Sequence, residues 1–327
     1  MLQLQSKLPS QGVTIFSVMT ELAQRLNALN LSQGFPDFPA PPALIEALCQ
    51  ATQSGYNQYS AGDGVLALRE QLVQQFLQRD QLQLDPITEI TITPGATIAI
   101  FCAIQACIHA GDEVIIFEPA YDLYQPTIEL FGGKIVPIQL KYPEYSIDFE
   151  ELKQKINDKT RLIIVNNPNN PTGKILSEND LKQFEQILKD SNCYLLADEV
   201  YEHIVYAPYK HTYFASLPGM FERTISCSSL SKTYSITGWR LGYCIAPENI
   251  IEQIKKVHDF LTVGAATPLQ EAAVVGLEFS DAYYDELQKL YTHKKDLFLN
   301  GLKELNIPHT EPQGAYYVMV DISEFGY

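Results

Sequence analysis

From Glu89 onward the chain alternates short apolar runs with helical or polar stretches, and this alternation restricts the fold more than any other feature. Strand-like runs fall at Ile90–Thr93, Glu113–Phe117, Lys134–Ile138, Leu162–Asn166, Tyr194–Ala197, Thr224–Cys227 and Leu241–Ile245. Helical segments or long connections separate most of them, which predicts an α/β fold with a mostly parallel sheet and helices on both faces. A length of 327 residues suits two domains better than one core. Ile15, Met19, Leu22, Leu26 and Leu29 mark one face of a helix over Thr14–Leu29 that begins at a threonine cap. Further helices are expected over Ala43–Gln53, Gly64–Gln78, Ile98–Ile108 and Pro247–Phe260, with Thr267–Leu277 as the start of a longer one. The proline-rich stretch Phe35–Pro42 crosses between elements, and Ala315–Ile322 reads as an edge-like strand.

Composition narrows the function. A chain that is 46% hydrophobic and 19% charged is an ordinary globular protein. Its net charge of −16 argues against nucleic acid or an anionic membrane as partner, since both need a positive footprint. Six cysteines without a Cys-x-x-Cys pair, most of them inside apolar runs, point to a reducing compartment, the cytoplasm. The N-terminus lacks the basic and long apolar regions of a signal peptide, and no apolar run approaches membrane-spanning length. The six histidines show no ligand spacing, so no metal site is expected, and neither Walker A nor G-x-G-x-x-G occurs.

The chemistry lies in polar clusters that close the apolar runs. Asn167-Pro168-Asn169-Asn170-Pro171-Thr172-Gly173 follows Leu162–Val165, and Asp198-Glu199-Val200-Tyr201 follows Cys193–Ala197. Open α/β sheets bind ligands just past such strand ends. In Ser229-Leu230-Ser231-Lys232, a lysine sits among hydroxyls with Arg240 eight residues on. A partly desolvated amine reacts as a neutral nucleophile toward an aldehyde, and a guanidinium fork holds a phosphate dianion. Gly95-Ala96-Thr97 closes a strand and opens a helix, where backbone N–H groups and the helix dipole favour an anion. Each feature also has a plainer reading. Lys232 and Arg240 could be solvated loop residues, Thr97 an ordinary helix start, Asp198 a helix cap, and Asn170 a turn former. Tyr121, Tyr59 and Phe16 could be packing aromatics.

In this order, these residues resemble the class I/II aminotransferases, fold-type I enzymes dependent on pyridoxal 5′-phosphate. With Gln33-Gly34-Phe35-Pro36-Asp37-Phe38-Pro39 and Asn57-Gln58-Tyr59, the likeness is to the methionine and kynurenine (glutamine) aminotransferase branch, from about Thr14 to the last residue. The resemblance implies a large cofactor domain over residues 45–275 with a mostly parallel seven-stranded sheet. A smaller α+β domain would come from residues 1–44 and 276–327. It implies Lys232 as the catalytic amine, with phosphate contacts from Ala96, Thr97, Ser229 and Arg240. Asp198 would pair with the ring nitrogen, Tyr201 and Asn170 with the 3′-oxygen, and Tyr121 would stack on the ring. Gly34 and Phe16 would meet the substrate, and Tyr59 would reach the partner's site in a homodimer. Substrates would be an apolar or aromatic amino acid and a 2-oxo acid. A cysteine-conjugate β-lyase using the same Lys232 and Asp198, or a non-catalytic cofactor-binding protein, are the alternatives. The family also grips the substrate α-carboxylate with a C-terminal arginine. This chain has none after Arg240, so it is expected to be a fragment or an early-ending variant.

Overall fold

A computed structural model describes residues 5–9 and 11–326. Seven strands form one sheet: β1 (Ile90–Thr93), β2 (Glu113–Glu118), β3 (Lys134–Gln139), β4 (Thr160–Asn166), β5 (Tyr194–Asp198), β6 (Thr224–Ser229) and β7 (Gly242–Ile245). Their order is β1-β7-β6-β5-β4-β2-β3. Strands β3, β2, β4, β5 and β6 are mutually parallel, and β7 runs antiparallel to both β6 and β1. All seven predicted runs are strands, with ends shifted by no more than two residues.

The helices, in chain order, are α1 (Ile15–Leu26), α2 (Pro42–Gln53), α3 (Leu66–Asp80), α4 (Ala96–Cys107), α5 (Tyr124–Leu130), α6 (Phe149–Lys155), α7 (Glu178–Lys189), α8 (Leu230–Thr233), α9 (Glu248–Thr262), α10 (Thr267–Leu277) and α11 (Asp281–Glu304). Helix α1 starts where the Thr14 hydroxyl accepts the Ser17 N–H, and a reciprocal Ser177–Asp180 capping box opens α7. Helix α4 is apolar nearly all round because it is buried against the sheet, with Ile100 and Ile104 packed among Val114, Ile164, Leu196, Ile225 and Ile254 of α9. On the opposite face Phe149 of α6 and Phe184 of α7 pack on Phe117, Ile163 and Leu195. Each such side chain contributes about 1.5–3 kcal/mol by leaving water, which ties the central strands between two apolar layers. Helices α2, α3 and α10 bury Leu44, Leu72, Phe76 and Ala273 beside β1 and β7.

A smaller cluster joins the segment after β5 to the C-terminal region: Tyr201, Ile204 and Tyr206 meet Leu287 and Tyr291 of α11, with Ala315, Tyr316 and Tyr317. Here the structure departs from the sequence reading. Ala315–Ile322 is not a strand; the region holds only the isolated bridges Val205–Gly314 and His309–Val320. Ala315 sits at φ +56°, which breaks an extended run, and Tyr316 and Tyr317 both turn inward instead of alternating. Helix α10 likewise ends at Leu277, and a separate helix begins after Ser280, so the long helix is α11.

Candidate active site

A cavity of about 490 Å³ lies past the C-terminal ends of β4, β5 and β6 and beside the first turn of α4. It is lined by Phe16, Gly34, Ala96, Thr97, Tyr121, Asn170, Asp198, Tyr201, Ser229, Lys232 and Arg240. Every sequence-derived site residue except Tyr59 is therefore at one place.

At the end beside α4, Gly95 precedes the helix at φ +84° with no side-chain cap, so the Ala96 and Thr97 N–H groups have no acceptor among the described residues. Arg240 reaches the same turn, its Nη2 3.4 Å from the Thr97 hydroxyl. Ser229 caps α8 by accepting the Ser231 N–H at 3.1 Å, and its own proton goes to the Leu241 carbonyl at 2.9 Å. The Ser231 hydroxyl is buried, lines the cavity and has no partner among the described residues. It is a donor that the sequence reading did not single out.

Lys232 stands on the single turn of α8, its Nζ 5.7 Å from the Tyr316 ring and 6.0 Å from the Tyr201 ring. That amine has no hydrogen bond or ion pair among the described residues. Burial and the neighbouring Arg240 charge lower its pKa to about 8, against the opposing pull of Asp198.

Asp198 is the last residue of β5 and only 2% exposed. No helix starts there, which removes the capping explanation. Its Oδ2 accepts the Tyr124 hydroxyl at 2.5 Å, and its Oδ1 receives only a long 3.4 Å contact from the Val200 N–H. Burial raises its pKa to about 6, with the Tyr124 bond working in the other direction. Tyr121 meets Tyr124 edge to face at 5.8 Å, leaving one side of its ring on the cavity.

The register aligns Asn166 with Asp198. Asn166 donates to the Asp198 carbonyl at 2.9 Å and accepts the Asn170 N–H at 2.5 Å, tying the two loops together. The turn itself is made by Asn169, whose Oδ1 accepts from Thr172 at both N–H and hydroxyl. The Asn170 side chain is thereby released from the turn-forming role. The Tyr201 and Tyr317 hydroxyls are 3.0 Å apart. Gly34 lies under Tyr316, whose hydroxyl donates to the Gly34 carbonyl at 3.1 Å; a Cβ at that position would collide with the Tyr316 ring.

Tyr59 is elsewhere. It is 87% exposed, on a loop held by the bond from the Thr267 hydroxyl to the Gln58 carbonyl. Close by in the chain's packing is the C-terminal end of α9, where Phe260 is 96% exposed and Leu261 and the following Val263 are also open.

The family profile for aminotransferase class I and II matches residues 27–325. The chain belongs to the class I and II aminotransferases. It is 40% identical to the methionine aminotransferase of Escherichia coli over 98% of its length and 83% of that protein's. It is 37% identical to a kynurenine–oxoglutarate transaminase of Dictyostelium discoideum, covering 96% and 77%. The crystal structure of the Escherichia coli methionine aminotransferase superposes with a TM-score of 0.95 over 99% of this chain and 85% of that one. N-Succinyldiaminopimelate aminotransferase from Mycobacterium tuberculosis, at 33% identity, gives 0.96 with 99% and 85% covered.

Aminotransferases of this class depend on pyridoxal 5′-phosphate, and the donor set here fits that molecule. Uncapped amides, a free buried hydroxyl and a guanidinium suit its phosphate. A desolvated amine suits its aldehyde, and a buried carboxylate suits its ring nitrogen. Tyr124, Ser231, Asn166 and Tyr317 are the site residues that sequence reasoning missed. The only advance sign of Tyr124 was a second tyrosine three residues after Tyr121, at the start of a helix.

Proposed function

We propose that this aminotransferase takes the amino group from an amino acid with a large apolar or aromatic side chain, methionine-like or kynurenine-like, and passes it to a 2-oxo acid. The observation that carries the reading is the unpaired Lys232 amine, set in one cavity with the Arg240 cradle and the Asp198 carboxylate. The donor preference rests on the methionine and kynurenine relatives and on the walls of the cavity. Phe16, Phe35, Tyr121 and Tyr317 line it, and its only described cations are Lys232 and Arg240. With Arg240 committed to phosphate, the described cavity residues offer no further cation for an acidic donor's side chain.

When bound, pyridoxal phosphate supplies a ring that accepts the electrons released as an amino acid loses its Cα proton. The chain's own groups hold and steer that event. Ala96, Thr97, Ser229, Ser231 and Arg240 would hold the phosphate. Asp198 would keep the ring nitrogen protonated, and Asn170 and Tyr201 would donate to the 3′-oxygen, with Tyr121 stacked on the ring. Lys232 Nζ, neutral above about pH 8, takes up the Cα proton as general base and returns it as acid. The Gly34 loop and Phe16 would orient the substrate.

Two chains are needed for a whole site in this reading. Tyr59 is exposed and does not line its own cavity, on a loop whose next residues pack near Val263, and it would contact the phosphate held by a partner copy. Six unpaired cysteines, five of them buried, fit a reducing compartment such as the cytoplasm. Among the described residues, no helix is long and apolar enough to cross a membrane.

The test is borohydride reduction of the loaded protein followed by peptide mapping, which should place the pyridoxyl group on Lys232. Spectral changes on adding methionine, kynurenine or aspartate then rank the donors. Modification of another lysine would overturn the assignment of Lys232, and a faster response to aspartate would overturn the donor class.

A further inference from the structure

Tyr124 is buried among Ile128, Tyr121 and the α4 side chains, a place where phenylalanine would pack equally well. What phenylalanine could not do is donate. The Tyr124 hydroxyl lies 2.5 Å from Asp198 Oδ2, the short spacing of an O–H bonded to an anion. Among the described residues it is the sole side-chain donor to that carboxylate, whose other oxygen has only the 3.4 Å contact from Val200. Burial holds the Tyr124 proton on the phenol far above its ordinary range, so the group stays a donor throughout the working pH.

We propose that Tyr124 is a positioning residue whose hydroxyl keeps the Asp198 carboxylate the weaker base, so that the proton between Asp198 and the cofactor ring stays on the ring nitrogen. This rests on Asp198 being the ring's partner. A carboxylate removed from water grows more basic, and a buried one facing a pyridine nitrogen competes for the shared proton. A proton drawn onto Asp198 would leave a neutral ring, a poorer acceptor of electrons. One hydrogen bond to the anionic form opposes this. The same phenol ring fixes Tyr121 edge to face, so one side chain sets both the carboxylate at the ring's edge and the aromatic on its face. The other titratable groups facing Asp198 are Lys232, Cys227, Tyr121, Tyr201 and Tyr317. None of them donates a hydrogen bond to it.

Two variants test the idea with opposite signs. Tyr124→Phe keeps the ring and removes the donor. Site-specific 3-fluorotyrosine at position 124 keeps the fold and makes the donor more acidic. In cofactor-free protein carrying carboxyl-labelled aspartate, the Asp198 titration midpoint should rise by about one pH unit or more in Tyr124→Phe. It should fall in the fluorinated protein. In protein loaded with ring-labelled pyridoxal phosphate, the nitrogen resonance should move toward the unprotonated position in Tyr124→Phe. An Asp198 midpoint that moves in neither variant overturns the proposal. So does a ring nitrogen that responds to Asp198→Asn and ignores Tyr124→Phe. A ring nitrogen indifferent to Asp198→Asn overturns the assignment of Asp198 itself, and Tyr124 falls with it.

Discussion

Gly95 and Arg240 meet so closely that a Cβ built on Gly95 would lie 2.6 Å from the guanidinium. The glycine therefore serves twice, by accepting φ +84° at the mouth of α4 and by leaving room for the arginine beside the Ala96 and Thr97 amides. Gly95→Ala should displace Arg240 and strain the turn, weakening pyridoxal phosphate binding by about tenfold, the equivalent of about 1.4 kcal/mol. Lys232 should still react with the aldehyde. Titration of cofactor-free protein, read by absorbance, gives the affinity; an unchanged value would remove the cradle from the binding account.

The lowered pKa of Lys232 sets a pH dependence for cofactor capture. Only the neutral amine attacks an aldehyde, so the rate should rise with pH and reach half its plateau near 8. An unperturbed lysine would place that midpoint near 10.4. Stopped-flow mixing of cofactor-free protein with pyridoxal phosphate across this range distinguishes the two.

Asp198 carries a stability cost that the cofactor-free protein should reveal. Its pKa is raised to about 6 in the fold from an ordinary 3.8, so its contribution is fully present below the lower value and lost as pH rises through the upper one. A rise of that size corresponds to a loss of about 3 kcal/mol. Cofactor-free Asp198→Asn should match the parent near pH 4 and exceed it at pH 7 in chemical denaturation. Equal pH slopes in both proteins would contradict a buried, ionising Asp198.

Mixed dimers test the reach of Tyr59. A chain carrying Lys232→Ala paired with one carrying Tyr59→Phe should restore one whole site, because on this proposal the Lys232 of the second chain would receive Tyr59 from the first. That site should bind pyridoxal phosphate as tightly as the unmodified protein. Tyr59→Phe alone should bind more weakly. A mixed dimer no better than Tyr59→Phe alone would place Tyr59 outside the phosphate contacts.

The sheet was legible because its strands are marked by runs such as Leu162–Val165 and Leu195–Ala197, which only burial on both faces explains. The convergence of Ala96, Asn170, Asp198 and Lys232 was legible too, since each lies at the end of a strand or just beyond it, and strand ends in a parallel sheet meet at one edge; Arg240 reaches the same edge from just before the antiparallel β7. What escaped was set by contacts distant in sequence. Tyr124 gains its meaning from Asp198, 74 residues away. The inward turn of both Tyr316 and Tyr317 depends on α11 and on the segment after β5. Strand periodicity misread Ala315–Ile322 because tertiary packing, together with a left-handed Ala315, overrode it.

The bond between Tyr316 and Gly34 spans 282 residues of chain. During synthesis the strands from β1 to β7 can pair while the loop at Gly34 has nothing to rest against. The wall on the substrate side closes only after Tyr316 has left the ribosome, so it is completed later than the sheet and the strand-end groups it faces. A nascent chain halted before Tyr316 would hold the cofactor groups from Ala96 to Arg240 with one side of their cavity open.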